Sequence, residues 1–261
     1  MEFQYNLPVN LIFGRGSVSR IGDIAVDYGS RACIVTGRSS TRKSGLLNRV
    51  AEYLEKAGVE KADCILERFC LKGKTAIVTG GNRGLGADMA SALAQAGANV
   101  IVTSRSLKRA KDAARELSEH YGINSLGLEL VQQEWDSVEQ MAGEAAAFQG
   151  RIDIMVNNAG GGAGLSDGDF AVRDIHAMEE MIAVNLMGVL YCCRAVAGYM
   201  IKQGRGKIVN IASVAGMVGR NRIIYKENGR NQQPVEYAAA KSGVIGMSRD
   251  LAAYLAPYGI H

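Results

Sequence analysis

A tyrosine and a lysine stand four residues apart in the segment YAAAK, at Tyr237 and Lys241. In a helix this spacing places both side chains on one face. A free tyrosine has a pKa near ~10 and is a weak base at neutral pH, but a nearby ammonium favours the phenolate. Such a pair is suited to exchange a proton with an alcohol or a carbonyl. The alternative is an exposed helix pair, which occurs often by chance.

Three further polar side chains occupy positions that a parallel sheet would bring toward this pair. Ser213 follows the apolar run 207–211, and Asn157 ends the run 152–157. Ligands bind at the carboxyl ends of parallel strands, so both residues are candidates for a site. Asn185 interrupts an apolar helical stretch, where an unpaired amide would be costly. A capping or kink residue bonded to backbone is the alternative for Asn185.

A glycine-rich turn, TGGNRGLG at 79–86, lies between a β-branched run and a helical pattern. Glycines let the backbone turn tightly and let a diphosphate approach the amide groups at the start of a helix. A glycine cluster alone indicates only a tight turn. Its position between a strand and a helix favours a dinucleotide-binding site.

The next strand ends with VTSR at 102–105, without the Asp or Glu that would bond a ribose diol. Arg105 and Arg83 are instead candidates to pair with a 2′-phosphate, since arginine makes bidentate contacts to phosphate oxygens. The alternative is that both are solvated surface residues. The sequence therefore predicts NADP(H) as the cofactor, with NAD(H) as the second choice.

From residue 74 onward, candidate strands and helices alternate, which predicts one parallel sheet covered on both faces through right-handed crossovers. The expected fold is α/β, a Rossmann-like doubly wound sheet in three layers. Residues 220–234 are polar without a clear period and predict a long loop. The expected strands are 75–79, 100–103, 126–130, 152–157 and 207–211, and the expected helices are 84–96, 107–120, 136–149, 173–202 and 235–256.

Composition narrows the class of protein. The 261 residues are 48% hydrophobic with a net charge of +4, which predicts a globular chain and gives no case for nucleic-acid binding. Three scattered histidines and the lack of any CxxC or HExxH exclude a zinc-type metal site. Five scattered cysteines and a start without a signal-peptide pattern predict a cytoplasmic protein. Asn185 and Arg194 within the apolar stretch 181–201 favour a buried helix over a membrane span.

Residues 69–261 resemble the short-chain dehydrogenase/reductase family in five motifs that occur in the right order. They are TGGNRGLG at 79–86, NNAG at 157–160, VNLMG around Asn185, the serine of IASVAG, and YAAAK at 237–241. The resemblance implies hydride transfer between NADP(H) and a small carbonyl or alcohol substrate of the sugar acid, keto ester or oxoacyl type. It also implies a homodimer or homotetramer.

The resemblance further implies a role for each site residue. Tyr237 would be the general acid/base, and Lys241 would lower its pKa and bond the nicotinamide ribose. Ser213 would bond the substrate oxygen, and Asn185 would hold a water in a proton relay. The cofactor-binding residues that it implies are Thr79, Gly80, Asn82, Arg83, Gly84, Leu85, Gly86, Ser104, Arg105, Asn157, Ala159, Gly160, Tyr237 and Lys241.

The sequence departs from this family at three places. Relatives continue beyond a phrase like YGIH into further strands and a substrate-covering helix. Without these segments we expect weak activity and aggregation, unless a partner covers the sheet edge and the pocket wall that they cover in relatives. The family usually has an Asp near Val131, so either Glu129 replaces it or an adenine contact is lost. Ser213 and Tyr237 are 24 residues apart, an unusually long interval. The added residues are either a substrate lid, with Arg220, Arg222 and Tyr225, or plain surface.

Residues 1–68 are similar to the start of iron-containing alcohol dehydrogenases in the phrases LPVNLIFGRG and KSGLL. That family's Asp and three His metal ligands have no counterpart here, so we expect no iron. The simplest interpretation is a fusion of two fragments that meet near residue 68. A cofactor-binding but catalytically inactive fusion fragment, or a subunit that depends on a partner, is therefore the competing hypothesis for function.

Overall fold

The computed structural model describes residues 16–32, 34, 44–61, 69–161, 170–228 and 233–261. Most of the phrase LPVNLIFGRG, the start of KSGLL, Cys33 and Cys64 lie outside these residues, as do parts of the expected loop at 220–234. The chain divides into two compact units, Met1–Cys70 and Leu71–His261.

In the described part of the first unit, two short parallel strands are accompanied by two α-helices. The strands β1 (Arg31–Ala32) and β2 (Glu60–Lys61) pair in parallel, and the helices are α1 (Ile21–Val26) and α2 (Leu46–Lys56). Helix α2 is amphipathic, and its Val50 and Leu54 are buried with Val59 in a small core. The two helices pack closely, since a Cβ at Gly22 would lie 2.4 Å from the Tyr53 carbonyl oxygen.

The second unit contains a five-stranded parallel sheet in the order β5-β4-β3-β6-β7. Neighbouring strands are in register at their carboxyl ends, where Val78 lies beside Val102 and Val156. The strands are β3 (Thr75–Val78), β4 (Asn99–Ser104), β5 (Ser125–Glu129), β6 (Ile154–Asn157) and β7 (Lys207–Asn210).

Helices connect these strands and cover both faces of the sheet, which confirms the predicted doubly wound α/β fold. They are α3 (Gly84–Gln95), α4 (Leu107–Tyr121), α5 (Trp135–Gln149), α6 (Ile175–Ile182), α7 (Gly188–Gln203), α8 (Arg222–Glu227) and α9 (Val235–Leu255).

Alternate residues of the central strands fill two cores. Ile77, Ile101 and Met155 face one layer, whereas Val78 and Val100 face the other. Both sets are buried because helices cover both faces, so the strands are continuous hydrophobic runs rather than polar–apolar alternations. This burial holds the carboxyl ends of the strands in a fixed arrangement.

The order of the strands creates a crevice at one edge of the sheet. From the edge strand β5 the chain returns to the far side of β3, where it forms β6. The connections after β3 and β6 therefore lead to opposite faces, and a ligand site is expected at the carboxyl ends of these two strands.

The helical segment Ile175–Gln203 is 29 residues long, and an 18-residue window within it has a mean hydropathy of 1.6, so by length and composition alone it could span a membrane. Its buried side chains, including Cys192, Val196 and Met200, pack in the core that contains Ile77 and Met155. A π-helical turn, Ala183–Met187, interrupts it between α6 and α7 and contains Asn185. These contacts are those of a buried core helix, as expected from the sequence.

The segment expected to be a loop contains the six-residue helix α8, so the loop prediction is wrong over 222–227. Asn221 accepts a hydrogen bond from the Ile223 amide, which stabilises the start of α8. Arg220 and Arg222 donate to the carbonyls of Pro234 and Gln233. Local capping and two arginine hydrogen bonds thus order a sequence that has no hydrophobic period. The Tyr225 side chain lies outside the described part of the structure.

Candidate active site

The glycine-rich turn joins β3 to α3 at the crevice. Gly80 and Gly84 have φ of 63° and 53°, a left-handed conformation that favours glycine. Arg83, at the N-cap of α3, is extended and provides no side-chain cap. The first amide groups of this helix therefore lack a side-chain partner and are suited to an anion such as a diphosphate.

Gly86 brings the first turn of α3 against the preceding backbone. A Cβ at this position would lie 2.2 Å from the Gly80 carbonyl oxygen and 2.6 Å from Asn158 Nδ2. Asn158 donates from this nitrogen to the Thr79 carbonyl, and Thr79 Oγ1 accepts from the amides of Asn158 and Ala159. These hydrogen bonds connect the carboxyl ends of β3 and β6, so the buried Thr79 fixes the position of the glycine turn relative to β6.

Arginines line one end of the cavity that this turn forms. Arg83 and Arg105, which are both exposed, line its wall, and the half-buried Ser104 lines it beside Arg105. Arg109 also lines it from the first turn of α4, where Ser106 Oγ accepts from the Arg109 amide. Arg109 was not among the predicted site residues, although it follows Arg105 by four positions at the start of a predicted helix.

Tyr237 and Lys241 lie on the first two turns of α9, as their spacing predicted. The Lys241 ammonium is 5.9 Å from the centre of the Tyr237 ring. It donates to the Ile211 carbonyl over 2.6 Å and is almost fully buried. Burial lowers the pKa of this ammonium, because desolvation penalises the charged form. The cation is thus held close to the phenol at low solvent exposure.

The lowered pKa of Lys241 predicts a pH-dependent stability. The unfolded chain keeps this proton up to a pKa of about 10.5, so between the two pKa values the unfolded state binds more protons. Below the lowered pKa, the folded state bears the full free-energy cost of burying the ammonium. This cost decreases as the pH rises from the lowered pKa toward the pKa of the unfolded chain. The free energy of unfolding of wild type should increase relative to Lys241→Met across that window.

Urea unfolding of both proteins over a pH series, followed by the fluorescence of Trp135, measures this difference. Trp135 is the sole tryptophan and lies in the second unit, so it reports on that unit. The same comparison in a Tyr237→Phe background removes the contribution of the neighbouring phenol. A difference that stays constant with pH would contradict the assignment.

Asn185 is fully buried in the π-helical turn and lies on the cavity wall. Its Oδ1 accepts from the Gly161 amide, and its Nδ2 donates to the carbonyls of Gly161 and Met181. A Cβ at Gly160 would lie 2.7 Å from this Oδ1. Asn185 is therefore bonded to backbone, which is the alternative given above, and it fixes the loop after β6 against α6. π-Turns of this kind are frequent at functional sites.

Ser213 begins a 3₁₀ turn, Val214–Gly216, and its Oγ accepts from the Ala215 amide over 3.2 Å. This turn is docked on α9, since Ser242 donates to the Gly216 carbonyl and a Cβ at Gly216 would lie 2.7 Å from the Lys241 carbonyl carbon. The contacts place Ser213 beside the turn of α9 that contains Lys241. Ser213 is not among the residues that line the cavity.

The side chain of Asn157 lies within the protein layer rather than on the cavity wall. It donates to Asn210 Oδ1 over 2.8 Å and to the Cys193 sulfur. Asn158 lines the cavity in its place, and Gln132 lines it too, donating to the carbonyls of Ala159 and Val184. Glu129 is exposed outside the lining. The NNAG and VQQ phrases contain Asn158 and Gln132, but residue type alone could not show which amide faces inward.

One cavity of about 800 Å³ brings most of the predicted residues together. Thr79, Gly84, Asn157 and Ser213 do not line it. No group of three or more potential metal ligands occurs among the described residues. The predicted residues that line the cavity are Gly80, Asn82, Arg83, Leu85, Gly86, Ser104, Arg105, Ala159, Gly160, Asn185, Tyr237 and Lys241.

Comparisons with known proteins match the two parts of the chain to different families. A model described as short chain dehydrogenase matches residues 74–261. A model described as iron-containing alcohol dehydrogenase matches residues 8–69. Only residues 70–73 separate the two matches, and the larger one contains every residue that lines the cavity.

Individual relatives agree with the larger match. A 3-oxoacyl-(acyl-carrier-protein) reductase FabG from Aquifex aeolicus is 37% identical over 190 residues, covering 73% of this chain and 71% of the relative. An NADP-dependent mannitol dehydrogenase from Hypocrea jecorina is 34% identical over 197 residues, covering 74% and 70%. The structure of a metagenomic short-chain oxidoreductase in complex with NADP is 30% identical, with a TM-score of 0.64 and coverage of 73% and 80%.

Proposed function

The chain belongs to the short-chain dehydrogenase family, whose members are oxidoreductases acting on CH–OH or oxo groups with NAD(P), and we propose that it reduces a small carbonyl compound with NADPH. Tyr237 is the general acid/base in this proposal, and the reverse reaction oxidises the corresponding alcohol. The observation that carries it is that one cavity is lined both by the glycine turn and three arginines and by the Tyr237–Lys241 pair.

The residues of the cavity fit an NADP(H) molecule. The uncapped start of α3 suits the diphosphate, and Gly80 and Gly86 allow close approach of backbone. Arg83, Arg105 and Arg109 provide cations for a 2′-phosphate, and β4 ends beside them in Ser104 rather than in an Asp or Glu that would bond a ribose diol. The NADP dependence printed for the mannitol dehydrogenase relative supports the same choice of cofactor.

When bound, NADPH supplies the hydride that reaches the carbonyl carbon. The Tyr237 hydroxyl donates its proton to the carbonyl oxygen, so the product is an alcohol and the phenol becomes a phenolate. The buried Lys241 ammonium stabilises that negative charge, because the attraction is strong where water is excluded. We propose that Ser213, which lies beside the Lys241 turn of α9 but outside the cavity lining, bonds the substrate oxygen when substrate is bound. We also propose that Asn185, whose side chain is bonded to backbone, holds a water in the proton relay, and that a proton from solvent restores the phenol.

Two relatives indicate the class of substrate. One is described as a 3-oxoacyl reductase and the other as a mannitol dehydrogenase, and both names describe a carbon that carries an oxo or a hydroxyl group. We therefore propose an oxoacyl, keto ester or sugar-type substrate. We also propose a homodimer or homotetramer in the cytoplasm, and a division near residue 68 between a metal-free amino-terminal unit and the catalytic unit.

Fluorescence titration with NADPH and NADH, followed by turnover assays over a panel of keto esters, oxoacyl thioesters and ketoses, tests the proposal. Tight NADPH binding together with consumption of NADPH by at least one carbonyl class is the expected result. Binding without turnover over the whole panel would support the competing hypothesis of a cofactor-binding but inactive chain. Absence of NADPH binding would overturn both.

The choice between the two cofactors gives a separate prediction. Arg105→Ala should weaken NADPH binding by about 10- to 100-fold, the value of one or two charge-assisted hydrogen bonds. NADH binding should change by less than about 3-fold, because NADH has no 2′-phosphate for the arginine to contact. Arg115→Ala, at an exposed position on helix α4, which follows Arg105, is a control for the loss of one positive charge. Equal losses for both cofactors would exclude Arg105 as a phosphate contact.

A further inference from the structure

A buried ion pair lies directly beside the proposed catalytic tyrosine. Arg173 Nε donates to Glu236 Oε1 over 2.8 Å, and the exposed fractions of the two side chains are only 6% and 4%. Glu236 immediately precedes Tyr237 in the first turn of α9. Neither residue belongs to the motifs that carry the family resemblance, and neither lines the cavity.

The pair connects the amino-terminal ends of two helices that form the site. Arg173 precedes Asp174, whose side chain caps α6 by accepting from the Ala177 amide. Helix α6 packs against α9 and continues into the π-helical turn with Asn185. Pro234, at the start of α9, provides no side-chain cap and carries no amide hydrogen. Besides the hydrogen bond from Arg220 to the Pro234 carbonyl, the Arg173–Glu236 pair is the side-chain contact that ties the first turn of α9 to the start of α6.

The carboxylate of Glu236 depends strongly on Arg173. Its second oxygen, Oε2, is buried and has no hydrogen-bond partner among the residues that the structure describes. A negative charge in the first turn of a helix is favourable, but burial makes it costly unless a cation and hydrogen bonds compensate. Removing Arg173 would leave this carboxylate without its ion-pair partner, and the first turn would have to move to reach water.

We propose that Arg173 and Glu236 are positioning residues for the reduction, and that their ion pair holds the first turn of α9 so that the Tyr237 hydroxyl meets the substrate oxygen. This inference rests on the proposed function of Tyr237. Reacting groups must be aligned to within a fraction of an ångström, and a misplacement of about 1 Å can cost about 100-fold in rate. The glycine turn and Arg83 lie at the start of α3, and Arg105 and Arg109 flank the start of α4, so the proposed contacts to the diphosphate and the 2′-phosphate do not require the pair.

The test compares Arg173→Gln, Glu236→Gln and the double variant with wild type in the full chain. Each single variant should lower kcat by about 10-fold or more and leave the Kd for NADPH within about 2-fold. The double variant removes both charges together and allows the two amides to bond each other, so kcat should recover to within about 3-fold of wild type. If Arg173→Gln does not fold, Arg173→Lys replaces it, since it keeps the charge but loses the planar fork.

Arg151→Gln is the matched structural control. Arg151 pairs with the buried Asp153, which accepts from the Thr75 amide at the opposite end of the sheet from the cavity. This variant should lose stability in urea and keep its kcat. A single variant of the Arg173–Glu236 pair that loses stability but keeps wild-type kcat would overturn the inference. The proposed function itself fails if wild type shows no turnover, and the inference then fails with it.

Discussion

Replacing Tyr237 with Phe should reduce the rate of NADPH-dependent carbonyl reduction by about 10²- to 10⁴-fold, the usual contribution of a general acid. The substitution removes one oxygen, the proton donor, and leaves the ring beside the Lys241 ammonium. The Kd for NADPH should stay within about 3-fold of wild type, because the diphosphate and arginine contacts lie elsewhere in the cavity. Steady-state kinetics and fluorescence titration measure the two effects separately.

Tyr254→Phe is the control for this substitution. Tyr254 lies on the same helix, α9, but is 67% exposed and does not line the cavity. Its loss should leave both kcat and the Kd unchanged. If Tyr237→Phe keeps full activity, Tyr237 is not the proton donor, and another group in the cavity must be sought.

Adding a methyl group at Gly86 should damage both stability and cofactor binding. The new Cβ would lie 2.2 Å from a backbone oxygen of Gly80, and backbone cannot move aside as a flexible side chain can. Gly86→Ala should therefore lower the free energy of unfolding by about 3 kcal/mol. Displacement of the first turn of α3 should also weaken NADPH binding by about 10-fold or more, since its amide groups would no longer converge on the diphosphate.

Gly198→Ala provides the matched glycine control. Gly198 lies within α7, and nothing lies within 4 Å of a Cβ at this position. That substitution should be neutral or stabilise the chain by about 0.4–1 kcal/mol, because it restricts the unfolded state. Urea unfolding followed by Trp135 fluorescence and NADPH titration would check both variants. A Gly86→Ala protein with wild-type stability would show that the turn is not packed as described.

The fold of the second unit was largely predictable because its central strands are buried on both faces. Largely apolar runs such as 75–79 and 152–157 alternate with helical patterns, an order typical of a parallel sheet covered on both faces. The helix at 222–227 was not predictable, since it is ordered by arginine hydrogen bonds to Gln233 and Pro234 rather than by a hydrophobic period. Tertiary hydrogen bonds of this kind leave no periodic signal in a sequence.

The site was predictable where the spacing in a motif fixes the geometry. It was not predictable where residue type does not determine the direction in which a side chain points. The four-residue spacing placed Tyr237 and Lys241 together, and glycines placed the turn. In NNAG, two adjacent asparagines point to different places, and only the contacts of Asn158 with Thr79 show which one supports the cavity. The Arg173–Glu236 pair joins residues 63 apart that no motif contains, so only the folded structure brings it into view.

The most direct test of the central claim is transfer of deuterium from NADPH labelled at the nicotinamide C4 to a carbonyl substrate, with the product analysed by mass spectrometry. The deuterium is placed at either of the two hydrogen positions of C4, which gives two labelled forms of the cofactor. Each form is incubated with wild type and with Tyr237→Phe. The proposed site predicts label on the new carbinol carbon from one form only with wild type, and almost none with the variant. Unlabelled product from both forms, or equal labelling by wild type and Tyr237→Phe, would contradict it.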